Sequence, residues 1–120
     1  MATLGDLERS VMDVLWAADE PLGAGEIHDR IAALRGDEHA LTTVMTVLSR
    51  LERKQLVDRS RETRPHRYRA LLSRAEHTAN LMHDVLSSSR DRDAALARFI
   101  GGVSRDEART LQRLLNDLAE

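Results

Sequence analysis

The chain has 120 residues and a formal net charge of −2, which allows one domain, or a small domain with an appendage. It has no cysteine, which excludes disulfides, thiolate nucleophiles and thiolate metal sites, and it has only one Trp, one Tyr and one Phe, so its core must be aliphatic. No apolar run approaches the roughly 18 residues of a membrane span, and the N-terminus has no features of a secretory signal, so we expect a cytoplasmic protein that does not enter a membrane.

Helical periodicity predicts two helices in the first third of the chain. The apolar side chains of the first helix, over about residues 6–18, recur at helical spacing: Leu7, Val11, Val14 and Leu15. The second helix, over about residues 24–35, has three apolar side chains on one face: Ile27, Ile31 and Leu34. Gly36 is placed to end this helix, and residues 37–41 then form a polar turn.

A third helix, predicted over about residues 42–54, has two chemically different faces. One face is apolar: Val44, Val47, Leu48 and Leu51. The other face carries hydroxyls, a thioether and arginines: Thr42, Thr43, Met45, Thr46, Ser49, Arg50 and Arg53. Two strands follow, at about residues 56–61 and 66–71, and the loop between them contains Pro65, which cannot donate to a strand ladder.

Charge is distributed unevenly along the chain. Residues 1–49 carry three basic and nine acidic side chains, a balance of −6, whereas residues 50–69 carry eight basic and three acidic ones, a balance of +5. Because the Debye length is only about 8–10 Å, distant acidic groups do not prevent such a patch from binding phosphates. Alternatively, the arginines are simply a solvated surface, but the helix that precedes them favours a nucleic-acid contact.

Three helices and a hairpin predict a winged helix-turn-helix that is complete near residue 71, within a mainly α fold with a small β-hairpin. In such a fold the N-terminal residues of the recognition helix (about 42–54) contact base edges, and the basic wing (about 56–71) contacts the DNA backbone. We therefore predict these residues to contact double-stranded DNA: Thr42, Thr43, Met45, Thr46, Arg50, Arg53, Lys54, Arg64, Arg67 and Arg69. Thr42 and Thr43 could instead cap the helix, and Tyr68 is expected in the core rather than stacked on a base.

The remaining residues, 73–120, are predicted to form a separate helical segment. Ser73 with Glu76 and Ser104 with Glu107 form capping boxes that open two helices, and a shorter helix over Ala94–Ile100 ends at Gly101. Helices this short bury little alone, so we predict a dimerisation domain at 73–120 beside a DNA-binding domain at 1–72. The interface residues would be Leu81, Val85, Leu111, Leu114, Leu115 and Leu118. Alternatively, this segment folds back on its own N-terminal domain.

Nothing in the sequence indicates catalysis. The five histidines are scattered and form no metal-binding motif, and neither a phosphate-binding glycine loop nor a nucleophile motif occurs. We therefore predict no enzyme activity, no metal and no cofactor. The competing interpretation of the fold is a winged-helix protein-interaction module that does not bind DNA. Such a module would not need the +5 balance of residues 50–69.

The chain resembles the penicillinase-repressor family (BlaI/MecI/CopY type) over nearly all of its length. Residues 4–16 are similar to the family's first helix, 42–51 to its recognition helix, and 66–70 to its second wing strand. The Leu-Trp pair of the first helix and the Thr-Thr-Val-x-Thr-Val-Leu run are the strongest matches. The resemblance implies a homodimeric repressor that binds pseudo-palindromic promoter operators and dimerises through its C-terminal helices.

The resemblance also bears on how repression would end. Antibiotic-resistance members of the family are cleaved at an Asn-Phe bond by a signal-activated protease, and the corresponding bond here is Arg98–Phe99, where the Phe matches and the Asn does not. This bond is therefore a candidate proteolytic site, and ligand binding is the alternative trigger. Copper-responsive members use Cys-x-Cys pairs, which this chain lacks.

Overall fold

The computed structural model describes residues 4–36 and 39–119. Within them lie six α-helices and three short strands, in this order: α1 (Asp6–Ala17), β1 (Leu22–Gly23), α2 (Ala24–Arg35), α3 (Leu41–Arg53), β2 (Val57–Ser60), β3 (Arg67–Ala70), α4 (Arg74–Ser87), α5 (Arg92–Gly102) and α6 (Arg105–Ala119). The chain divides into two compact units after Leu81. The expected fold class, mainly α with a small hairpin in a winged helix-turn-helix, is confirmed.

The sheet of the first unit is antiparallel, in the order β1-β3-β2. The predicted hairpin is present and places Asp58 opposite Arg69. The sequence did not predict β1, whose two residues are too few for an alternating pattern to be recognised. This strand pairs Leu22 with Tyr68, so it covers the free edge of β3 and fixes the hairpin beside the helices.

The core of the first unit lies between α1, α2, α3 and the sheet. It contains these buried side chains: Val11, Met12, Val14, Leu15, Leu22, Ile27, Ile31, Val44, Val47, Leu48, Leu51, Leu56, Val57 and Tyr68. Every apolar position predicted for the third helix is among them, and so is Tyr68. Leu34 is an exception: it was expected on the inner face of α2 but is 76 % exposed, because it follows Ile31 by three residues near the helix end, beyond the reach of the core.

The junction between α3 and β2 is a Schellman turn. The Leu56 N–H donates to the Leu51 carbonyl and the Gln55 N–H donates to the Glu52 carbonyl, each at 3.0 Å. Gln55 has the left-handed φ of 64° that this turn requires, at a position where glycine is usual. Leu51 and Leu56 are both buried, so the turn joins the end of α3 to the core before the wing begins.

The first turns of α4 are attached to α1 through Trp16. The indole Nε1 donates to the Leu72 carbonyl at 2.8 Å, and the guanidinium of Arg74 lies 4.8 Å from the indole ring centroid. Arg74 also forms a 2.8 Å ion pair with Asp13. The buried ring of His77 lies 5.6 Å from the Trp16 ring. Residues 73–81 therefore pack on the winged helix as part of the first unit.

The helices of the second unit begin at well-formed caps. Ser104 and Glu107 exchange hydrogen bonds of 2.9 and 3.1 Å, as the predicted capping box requires. The Asp91 carboxylate caps α5 by accepting from the Ala94 N–H at 3.1 Å, so α5 begins earlier than expected. It also ends later, because Gly101 and Gly102 continue its last turn instead of stopping it. Neither α5 nor α6 has a buried residue among those described.

Candidate nucleic-acid interface

The N-terminal half of α3 presents an exposed surface, here called the reading face, made of Thr42, Thr43, Met45 and Thr46. The residues between them on the helix, Val44 and Val47, are buried, so the reading face is held rigidly against the core. The N-cap of the helix is Ala40, which makes no side-chain capping bond. Thr42 and Thr43 therefore do not cap the helix, and their hydroxyls have no hydrogen bond to another described residue.

Thr46 has a more constrained hydroxyl than its neighbours. Its Oγ1 donates to the Thr42 carbonyl at 2.9 Å, within the helix. The proton of this hydroxyl is thus already used, but the oxygen lone pairs and the methyl group remain exposed. Thr46 can accept a hydrogen bond from a base amino group or contact a thymine methyl, both of which the major groove presents.

The predicted cations at the end of α3 differ in their surroundings. Arg50 and Arg53 are exposed, whereas Lys54 Nζ forms a 2.8 Å ion pair with Glu8 of α1. Burial by itself would raise the pKa of Glu8, but the hydrogen bonds from Lys54 and from the Gly5 N–H, with the charges of Lys54 and Arg50, outweigh it and lower the pKa. Lys54 therefore helps to hold α1 against α3, a role that the sequence did not indicate.

The wing, defined as β2, β3 and the loop between them, exposes four of its five arginines, and Arg59 is half-buried. Arg67 and Arg69 are exposed on either side of the buried Tyr68, as the alternation of the strand predicts. Arg69 forms a 3.3 Å ion pair with Asp58, its cross-strand partner. Arg64 and Arg67 are exposed and form no ion pair with a described residue. A shallow cleft of about 440 Å³ beside the strands is lined by residues 58–62, Arg67 and Arg69, with Pro21 at its edge.

Acidic partners of the basic patch were missed by sequence reasoning. Besides Glu8 and Asp58, Glu52 lies 3.7 Å from the Arg59 guanidinium. The Asp58–Arg69 pair could have been found from the hairpin register, because cross-strand neighbours face each other. The Glu8–Lys54 contact joins residues 46 positions apart, so no local pattern indicates it.

The side chains expected at a dimer interface are incompletely covered within the single chain. Leu81 and Leu111 are half-buried. The others are exposed: Val85, Leu114, Leu115 and Leu118, the last at 83 %. The candidate cleavage bond, Arg98–Phe99, lies inside α5, and both of its side chains are exposed.

The described residues contain no group of three or more acidic, histidine or cysteine side chains arranged to hold a metal ion. No helix among the described residues has both the length and the apolarity to cross a membrane. What the first unit does offer is a rigid helix with an exposed polar face, followed directly by an arginine-rich hairpin. This arrangement defines a winged-helix DNA-binding regulator.

Comparison with known proteins agrees with this class. The family model of the penicillinase repressor matches residues 4–117, and the chain belongs to that family. The chain is 46 % identical to the transcriptional regulator BlaI of Mycobacterium tuberculosis over 121 residues, which cover 98 % of this chain and 86 % of BlaI. The protein is accordingly a transcriptional repressor and not an enzyme, and DNA is its partner.

Solved structures support the fold independently. RosR of H. salinarum superposes with a TM-score of 0.55 at 18 % identity, over 98 % of this chain and 96 % of that one. A second RosR structure gives a TM-score of 0.57 at 18 % identity, over 92 % and 94 % of the two chains. At this identity the likeness is one of fold, and it identifies the winged helix as the shared architecture.

Proposed function

We propose that the protein is a homodimer that represses transcription by occluding promoters at pseudo-palindromic operators. The observation that carries the proposal is the reading face of α3, exposed and rigid, with a wing whose Arg64 and Arg67 have no ion pair to a described residue. Exposed arginines that form no ion pair are available to phosphates, and an exposed hydroxyl-rich helix face suits the major groove.

Within this proposal the reading face contacts bases. Thr42, Thr43 and Thr46 offer oxygen atoms that can accept from base amino groups, and Met45 offers an apolar contact to a thymine methyl. Because the Thr46 proton is bound to the Thr42 carbonyl, Thr46 acts as an acceptor or through its methyl group. Thr42 and Thr43 can both donate and accept.

The arginines and Lys54 contact the DNA backbone. Arg50, Arg53, Arg64 and Arg67 are exposed and make the principal phosphate contacts. Arg69 and Lys54 reach phosphate only by sharing their charge with Asp58 and Glu8, so their contributions are smaller. This ranking distinguishes residues that the sequence alone treats as equivalent.

Residues 1–72 form the DNA-binding domain and residues 73–120 the dimerisation domain. Support for the second assignment is the row of exposed leucines on α6, since an exposed apolar stripe on a helix usually packs against a partner. A two-fold dimer presents two reading faces to a two-fold operator. Such a repressor works in the cytoplasm, where the promoter DNA is.

A gel-shift titration on the DNA upstream of its own gene, with excess random competitor at two salt concentrations, tests DNA recognition. We expect a retarded complex that survives competitor and weakens steeply with salt, and footprinting then gives the half-site spacing. A complex that random DNA removes completely at every promoter tested would contradict operator recognition and favour the protein-interaction module.

Sedimentation equilibrium tests dimerisation. Leu115→Asp places a charge in the proposed interface and should yield a monomer, because an unpaired charge is costly to bury. Leu34→Asp is the matched control, since Leu34 is also an exposed leucine but lies on α2, outside the interface. A dimer that persists in Leu115→Asp would refute the interface.

A signal-activated protease that cleaves Arg98–Phe99 is the candidate trigger for derepression. The bond lies within α5, so a protease must first unwind part of that helix to bind an extended chain. Terminal sequencing of fragments from induced cells should give a fragment that begins at Phe99. Induction without any fragment would favour a ligand as the trigger.

A further inference from the structure

The backbone just before the recognition helix is attached to α2 by a histidine. His28 Nε2 lies 2.6 Å from the backbone carbonyl oxygen of His39, eleven residues further along the chain. Because a carbonyl oxygen can only accept, the proton of this hydrogen bond is on Nε2. His39 directly precedes Ala40, the N-cap of α3. The imidazole therefore holds the backbone one residue before the N-cap of the helix that carries the reading face.

This tether is important because the start of α3 has no side-chain cap among the described residues. Ala40 occupies the N-cap without a side-chain oxygen, and Leu41, the first helical residue, is exposed. In most helices a Ser, Thr, Asp or Asn cap defines the entry of the chain. Here the N-cap carbonyl accepts from the Thr43 and Val44 N–H groups, at 3.0 and 3.3 Å.

His28 is itself fixed in position. It lies on α2 next to the buried Ile27 and three residues from the buried Ile31, so its backbone moves with the core. Its Nδ1 faces the Asp29 carboxylate at 3.0 Å, but that carboxylate is largely exposed, and an ion pair of this kind contributes little. The contact through Nε2 joins α2 to the backbone that leads into α3.

We propose that His28 is a positioning residue for operator recognition. By holding the His39 carbonyl it fixes the start of α3, and with it Thr42 and Thr43, in the geometry that meets base edges. The inference rests on the proposed function, since it concerns the same DNA contact. It makes the contact between His28 and His39 a determinant of specificity, although His28 itself touches no base.

Two amide variants separate the two ring nitrogens. Glutamine places its amide nitrogen near the position of Nε2, whereas asparagine places it near Nδ1. His28→Gln therefore keeps a donor for the His39 carbonyl, and His28→Asn loses it. One hydrogen bond shifts an equilibrium roughly two- to tenfold. We expect operator affinity to fall about fivefold per subunit in His28→Asn and to stay within about twofold of the unchanged protein in His28→Gln.

Affinity for random DNA and its salt dependence should be unchanged in both variants, because His28 is not among the phosphate contacts. Hydrogen exchange without DNA gives a second measurement. The Thr43 and Val44 amides should exchange faster in His28→Asn than in His28→Gln, since the helix start frays when the tether is lost.

Equal operator affinity in the Asn and Gln variants, or an equal loss on operator and random DNA, would overturn the inference. So would equal exchange of the two amides. If the unchanged protein itself did not prefer an operator over random DNA, the proposed function would fail instead, and the exchange measurement would still decide whether His28 holds the start of α3.

Discussion

Replacement of Arg67 by alanine tests the wing more directly than any other change. The Arg67 side chain is exposed on β3, and it forms no ion pair with a described residue. If it neutralises a phosphate, its loss releases one counterion fewer when the complex forms. The variant should therefore bind all DNA sequences more weakly, and its affinity should depend less on salt.

The expected change follows from the number of contacts. Each neutralised phosphate contributes about 0.9 to the slope of log affinity against log salt, so a dimer that loses Arg67 twice should show a slope smaller by about 1.8. Over a fourfold rise in salt, the unchanged protein should thus lose about twelve times more affinity than the variant.

Arg69→Ala provides the matched control, since Arg69 lies on the same face of the same strand but pairs with Asp58 at 3.3 Å. The salt slope of Arg69→Ala should differ from that of the unchanged protein by less than the slope of Arg67→Ala does, because Asp58 already offsets the charge of Arg69. Fluorescence anisotropy on a labelled operator at four salt concentrations measures both. Equal slopes for Arg67→Ala and the unchanged protein would refute the phosphate contact.

Three further changes test other parts of the structure. Thr46→Ala should lower operator affinity about fivefold, as expected for a single lost base contact, while random-DNA binding measured by competition stays constant. Glu8→Gln should lower the free energy of unfolding at neutral pH by about 1 kcal/mol. The pKa of Glu8 is lowered in the fold, so its contribution to the free energy of unfolding is complete above the ordinary carboxyl range and is lost as the pH falls through the lowered pKa. Urea melts at several pH values should therefore show the unfolding free energies of the variant and the unchanged protein converge in acid. Gln55→Gly should raise the free energy of unfolding by about 1 kcal/mol, because glycine adopts the left-handed conformation without steric cost; a lower urea midpoint would contradict this.

Periodicity was a reliable guide wherever a helix packs on a core. Val44, Val47, Leu48 and Leu51 recur at the spacing that places them on one face, and all four are buried. The same rule failed at Leu34, because a helix face extends beyond the surface that covers it. Alternation in β3 correctly predicted the buried Tyr68 between two exposed arginines.

Contacts between distant parts of the chain could not be predicted in this way. The two-residue strand β1 exists because β3 offers an open edge, not because Leu22 and Gly23 prefer an extended state. The bond from His28 to the His39 carbonyl likewise depends on how α2 and the following turn approach each other. Such features arise from packing, on which sequence periodicity gives no information.

The pairing of charges also limits how steeply the affinity of the protein for DNA can depend on salt concentration. The eight basic residues between positions 50 and 69 would give a dimer a slope of log affinity against log salt of about 14 in magnitude if each contacted a phosphate. Lys54, Arg59 and Arg69 are paired with Glu8, Glu52 and Asp58, however. The four arginines proposed as the principal phosphate contacts form no ion pair with a described residue: Arg50, Arg53, Arg64 and Arg67. If only these four bind phosphate, the slope should be about 7, and a measured value near 14 would mean that the intramolecular pairs break when DNA binds.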